Sequence, residues 1–138
     1  MPKLRCTLLV DDDPTTNYLN RKLLEQLDVT DRVMVAHNGA EALQVLAVEC
    51  PDAGPGLACP ALIFLDVNMP LMNGFDFLEA YQELPLARRQ AIVIVMLTTS
   101  VHPRDLQRLE AQPVAGFVSK PLNPAKVQQV LEAHFSQA

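Results

Sequence analysis

The chain has no tryptophan and no apolar run approaching the ~20 residues of a membrane span. The first absence removes any intrinsic indole signal for binding, and the second excludes a spanning helix. The opening Met1-Pro2-Lys3-Leu4-Arg5-Cys6 carries a little positive charge. The apolar stretch from Thr7 to Val10 is nevertheless too short for a signal-peptide core, and Asp11 ends it. A cytoplasmic protein that does not engage a membrane is expected. Basic residues are in deficit, 11 Lys and Arg against 16 Asp and Glu. The net charge of -5 and a pI near 5.0 argue against direct nucleic-acid binding, and the Lys and Arg residues are dispersed along the chain. Cysteines are few and odd in number, three in all, which is no disulfide framework. Cys50 and Cys59 flank a Pro/Gly-rich stretch across which they could meet, and free thiols of a reducing cytosol are the preferred reading over a bridge. His37, His102 and His134 stand isolated, without the spacing of a zinc site.

What is present is a soluble globular composition, 49% hydrophobic with mean hydropathy +0.12, in 138 residues that suit one domain. Strand and helix patterns alternate, as in an α/β domain with a parallel sheet. Leu8–Val10 reads as the first strand. Asp13 before Pro14 reads as an N-cap with proline at the first helical position, followed by Leu19, Leu23, Leu24 and Leu27 on one helical face. Arg32–Ala36 is the second strand. Asn38 can cap a helix whose buried stripe is Ala42, Leu43 and Leu46. Prolines and glycines make residues 49–60 an irregular loop. Ala61–Leu65, apolar throughout, fits a strand covered on both faces. Gly74–Leu84 reads as the third helix, with Phe75, Phe77, Leu78 and Tyr81 available to pack. Ile92–Leu97 is the fourth strand, Pro103 opens the fourth helix, and Val114–Ser119 is the last strand. Pro124 opens the fifth helix, with Val127, Val130 and Leu131 inward. The expectation is a doubly wound (βα)5 fold in a single domain over 1–138, its core about 5–135, with no output domain. Right-handed crossovers then put a crevice at the strands' C-terminal ends.

Four of the five hydrophobic runs end in residues able to handle a phosphoryl group. Leu8-Leu9-Val10 precedes Asp11-Asp12-Asp13, Ile63-Phe64-Leu65 precedes Asp66, Val95-Met96-Leu97 precedes Thr98, and Phe117-Val118-Ser119 precedes Lys120-Pro121. In one parallel sheet these ends share an edge, and Asp11, Asp12 and Asp66 would crowd a single pocket. Three carboxylates so close repel, and a hard divalent cation relieves the repulsion more economically than a proton. Mg²⁺ suits a few carboxylates, a carbonyl, waters and a phosphate oxygen. Asp66 is a carboxylate nucleophile for phosphorus, Lys120 a counter-charge and Thr98 a hydrogen-bond donor to a phosphoryl oxygen. Each residue also has a plain explanation: a solvated turn for an Asp run, a strand-end threonine, a surface lysine. For Asp13 the plain explanation, a helix cap, is preferred.

These residues resemble the receiver domains of two-component response regulators. The resemblance rests on Val10-Asp11-Asp12-Asp13, on Leu65-Asp66-Val67-Asn68-Met69-Pro70-Leu71-Met72-Asn73-Gly74, on Thr98 and on Lys120-Pro121, and it spans essentially the whole chain. It implies a flavodoxin-like sheet of order 2-1-3-4-5. It implies that Asp66 accepts a phosphoryl group from a sensor histidine kinase or histidine phosphotransfer protein. Mg²⁺ would be held by Asp12 and Asp66, by the backbone carbonyl of Asn68, and by Asp11 through water. Thr98 and Lys120 would contact the phosphoryl group, Pro70, Gly74 and a cis Lys120-Pro121 bond would shape the surrounding loops, and Thr98 with Phe117 would form the switch. For Phe117 a plain core role is the alternative. A downstream protein partner is expected on the face of the fourth helix, last strand and fifth helix; self-association is left open.

Two features depart from the pattern. The loop 49–60 is longer than the family usually needs. Thr99 is bulkier than the alanine often found beside the switch threonine, which suggests an effect on phosphoryl lifetime. The resulting expectation is a signalling receiver whose only catalysis is its own phosphorylation and dephosphorylation. A first alternative is an aspartate-nucleophile phosphohydrolase of the haloacid-dehalogenase type. Such an enzyme needs a second acid two residues after the nucleophile, where this chain has Asn68. The other alternative is a non-phosphorylated interaction module, which usually loses site residues.

Overall fold

The computed structural model describes residues 4–49, 60–67, 69, 72–84, 92–99, 107 and 114–135. Five strands, β1 (Thr7–Val10), β2 (Val33–Ala36), β3 (Leu62–Asp66), β4 (Val93–Thr98) and β5 (Gly116–Ser119), form one sheet in the order β2-β1-β3-β4-β5. All four pairings are parallel. Among the described residues, the helices between strands with assigned bounds are α1 (Pro14–Leu27), α2 (Gly39–Glu49) and α3 (Gly74–Gln82), and a C-terminal helix spans Pro124–Phe135. This is the doubly wound α/β arrangement anticipated above. The loop 49–60 falls almost wholly outside the described residues. So does the helix expected from Pro103, except for Gln107, which is helical. Among the described residues no helix is long and apolar enough to cross a membrane.

The period-two alternation of strand side chains sorts the core into two layers. Leu8, Val10, Ile63, Leu65, Ile94 and Met96 face one way, against Ala42 and Leu46 of α2 and Phe77, Leu78 and Tyr81 of α3. Leu9, Leu62, Phe64, Val95 and Leu97 face the other way, against Leu24 of α1 and Val127, Val130 and Leu131 of the C-terminal helix. β3 is buried along its whole length, which is why its sequence lacks polar alternation.

Boundaries shift where hydrogen bonding outruns side-chain character. Asp66 and Thr98 belong to β3 and β4, because the ladder continues through their backbones whatever the side chain. β5 begins at Gly116 instead of Val114, although the Ala115 N–H still donates to the Ile94 carbonyl at 3.0 Å. α3 ends at Gln82 and not Leu84. One inward assignment fails. Leu19 is 59% exposed, while Asn17 and Asn20 take the buried positions of the first turns of α1. These turns pass beside the polar C-terminal edge of the sheet, so their inner face meets polar groups.

Candidate functional site: an acid cluster capped by a lysine

The local sequence fixes each strand end. The Asp13 carboxylate caps α1, accepting from the Thr15 N–H at 3.1 Å and the Thr16 hydroxyl at 2.7 Å. The hydrogen bond from Thr16, with that from the Thr15 backbone, holds the Asp13 carboxyl below its usual range. Asp13 thus acts as the cap read from sequence, and the turn before it presents Asp11 and Asp12. Asp11 is buried; its Oδ1 accepts from the Asp13 N–H at 2.9 Å, and its carbonyl accepts from the Asn17 amide at 2.8 Å.

Asp66 follows Leu62 and Phe64 in the alternation of β3, so its carboxylate leaves the sheet on the face that α1 and the C-terminal helix cover. One carboxylate oxygen from each of Asp11, Asp12 and Asp66 lies within 4.8 Å of the others. Asp11 and Asp66 are buried and Asp12 is exposed, so the cluster opens to solvent on one side. The Lys120 ammonium bridges the two buried acids, at 2.8 Å from Asp11 Oδ2 and 3.3 Å from Asp66 Oδ1. Burial alone would lower the Lys120 pKa. The hydrogen bond to Asp11 and the charge of Asp66 outweigh that and hold it above the ordinary lysine value. Three anions and one ammonium leave a deficit of two positive charges in a pocket of oxygen ligands. That donor set fits a hard divalent cation such as Mg²⁺.

Thr98 ends β4 in a buried position, and its carbonyl accepts from the Lys120 N–H at 2.8 Å. Phe117 is half-buried and pairs with Met96, while Thr98 pairs with Ser119. Phe117 and Thr98 are therefore diagonal neighbours on one face of the β4–β5 pair. The Lys120–Pro121 peptide is cis. Asn68 and Pro70, expected to supply a carbonyl and a loop restraint, lie outside the described residues.

Gly74 opens α3 directly beneath Asp66. Its N–H donates to the Val67 carbonyl at 2.9 Å, and a Cβ there would stand 2.9 Å from the Asp66 carbonyl oxygen and 3.0 Å from Val67 Cα. Close approach of backbone to backbone, with a positive φ playing no part, makes glycine necessary here. Asn73 and Asp76 close a capping box over the same turn.

Sequence reading missed Asn17, which anchors the Asp11 carbonyl; the usable signal was two asparagines, Asn17 and Asn20, at helical spacing on the inward face. It also missed a cavity of about 440 Å³ between Thr16, Leu19, Asn20 and Leu23 of α1 and the turn Lys120–Pro124, with Thr99 at its edge.

The fold has close parallels. The sequence model of the response regulator receiver domain matches residues 7–132. The chain belongs to this family. An uncharacterised 14.6 kDa protein of Leptolyngbya boryana is 32% identical over 92% of this chain and 87% of its own length. A two-component response regulator from Cytophaga hutchinsonii superimposes with a TM-score of 0.83 at 25% identity, covering 94% of this receiver and 96% of the other chain. The Vibrio cholerae chemotaxis protein CheY4 gives 0.74 at 29% identity, covering 94% and 97%.

Proposed function

We propose that this receiver is a phosphorylation-dependent switch in which Asp66 is the phosphoacceptor. The carrying observation is the Lys120 ammonium bridging Asp11 and Asp66, with Asp12 in the same cluster. Transfer to a carboxylate needs charge neutralisation and in-line positioning more than proton removal. Lys120 neutralises part of the charge and orients the Asp66 carboxylate. Asp11, Asp12 and Asp66, with the Asn68 carbonyl, are the residues that would hold Mg²⁺. When bound, that ion supplies electrostatic stabilisation of the phosphoryl oxygens. On transfer, an Asp66 carboxylate oxygen forms a bond to phosphorus as the donor's P–N bond breaks, giving an acyl phosphate.

Thr98 then donates to a phosphoryl oxygen. Its movement frees space on the face it shares with Phe117, and the half-buried ring follows, which changes the surface around β5. This supports a downstream protein partner on the face of the fourth helix, β5 and the C-terminal helix. The donor is a sensor histidine kinase or histidine phosphotransfer protein. The apolar cavity beside Lys120 offers a donor protein a seat within reach of Asp66. The reading is of a cytoplasmic signalling protein without a substrate of its own beyond this phosphoryl group.

The test is incubation with acetyl phosphate and Mg²⁺ followed by intact-mass measurement. One labile phosphoryl adduct is expected on the parent and none on Asp66→Asn. An adduct of equal yield on Asp66→Asn removes the assignment, and sustained phosphomonoester turnover without an adduct favours the phosphohydrolase alternative.

A further inference from the structure

Lys126 occupies the first turn of the C-terminal helix, an unfavourable place for a cation because the helix dipole is positive there. That turn contains no acidic residue to offset it. Asn123 caps the helix, its side-chain oxygen accepting from the Lys126 N–H at 2.8 Å. The Lys126 side chain folds back over the preceding turn. Its ammonium donates to the Ser119 carbonyl at 2.8 Å, to the Pro121 carbonyl at 3.0 Å and to the Ser119 hydroxyl at 3.2 Å. Three donors meet three acceptors, the full capacity of an ammonium group. The two carbonyls belong to the residues on either side of Lys120, whose own N–H is tied to the Thr98 carbonyl at 2.8 Å.

We propose that Lys126 is a positioning residue: it clamps the backbone on both sides of Lys120 and so fixes the reach of the Lys120 ammonium into the acid cluster. The proposal rests on the reading that Lys120 serves phosphoryl chemistry at Asp66. Without the clamp, residue 120 keeps one backbone anchor, on β4, and the turn from Ser119 to Pro121 loses its anchor to the helix. Displacing a catalytic group by 1 Å costs on the order of 10²-fold in rate, and loosening one loop is expected to cost less. Lys126→Met keeps the stem and removes all three bonds. Lys126→Arg keeps the charge, and its planar fork reproduces some of the bonds but not their divergence.

The experiment compares the initial rate of adduct formation from acetyl phosphate and Mg²⁺ in the parent, Lys126→Met, Lys126→Arg, Lys120→Ala and the Lys126→Met/Lys120→Ala double variant. Amide hydrogen exchange at Lys120 in metal-free protein is measured alongside. Lys126→Met is expected to lower the rate by about threefold to thirtyfold, within the bound set above. It should also speed exchange at Lys120, with Lys126→Arg intermediate in both. In the Lys120→Ala background the same substitution should leave the rate nearly unchanged, since its effect is carried by Lys120. An equal loss in both backgrounds marks a general charge or folding effect and overturns the proposal, as does parent-like rate and exchange in Lys126→Met. If the parent forms no adduct, the functional reading itself fails, while exchange at Lys120 still decides whether the clamp exists.

Discussion

Replacing Lys120 with methionine keeps most of the side-chain volume and removes the ammonium that stands 2.8 Å from Asp11 and 3.3 Å from Asp66. At an effective dielectric of about 20, each contact is a gross attraction of about 5–6 kcal/mol, and carboxylate oxygens no more than 4.8 Å apart repel by at least about 3.5 kcal/mol. Most of the attraction is offset by desolvation. Removing one partner of a buried pair costs about 3–5 kcal/mol, because the other charge is left stranded. The Lys120 side chain is 19% exposed and Asp12 faces water, so the lower end applies. A loss of about 3 kcal/mol corresponds to a drop in melting temperature of about 10 °C for a chain of this size. Mg²⁺ at saturating concentration should recover much of this loss in Lys120→Met, since it supplies the charge that the ammonium no longer does. The assay is thermal unfolding followed by circular dichroism, in EDTA and in Mg²⁺. A Lys120→Met protein that melts with the parent in EDTA would refute the reasoning, as would a deficit identical in the two conditions.

Gly74→Ala should lower the melting temperature by about 4–7 °C: the clash is with backbone, which puts overpacking at about 2–3 kcal/mol, and helix propensity returns up to about 1 kcal/mol. It should also slow phosphorylation, and a parent-like melt excludes the close approach. Thr99 stands exposed at the edge of the cavity that Lys120 also lines. Thr99→Ala is expected to shorten the phosphoryl lifetime by admitting water, an idea that an unchanged dephosphorylation rate removes. Burial raises the Cys6 thiol to about 11 from an ordinary 9.0, so folding disfavours its thiolate. The folded-state pKa of Lys120 is raised from 10.5, so the stability it contributes is present below that pH and lost as pH rises through the higher folded value. Stability should therefore begin to fall above pH 9 and fall further above 10.5; Cys6→Ala should flatten the first part of that decline, and an identical profile in Cys6→Ala removes the thiol from the account.

The sheet was legible because continuous apolar runs such as Leu62–Leu65 are what strands buried on both faces require. The helix starts were legible because Asp13-Pro14 and Asn38 cap by side-chain chemistry that is local; the Asn38 side chain accepts from the Glu41 N–H at 2.8 Å. Which strand lies beside which was not readable from periodicity, and the order came from the resemblance. The contact between Lys120 and Asp11, 109 residues apart, follows from that order and not from any local pattern. Leu19 was misjudged because helical spacing defines a face without saying where along the helix the core ends. Lys126 left no sequence signal, since a lysine near a helix start ordinarily reads as surface.

The central claim is that the anions gathered at the ends of β1 and β3 make Asp66 the group that takes up phosphorus. Borohydride reduction of the acetyl phosphate-treated protein converts an aspartyl phosphate to homoserine, which peptide mapping locates. The account predicts homoserine at position 66 and aspartate retained at 11, 12 and 13. Homoserine at any of those three, with position 66 unmodified, would contradict it.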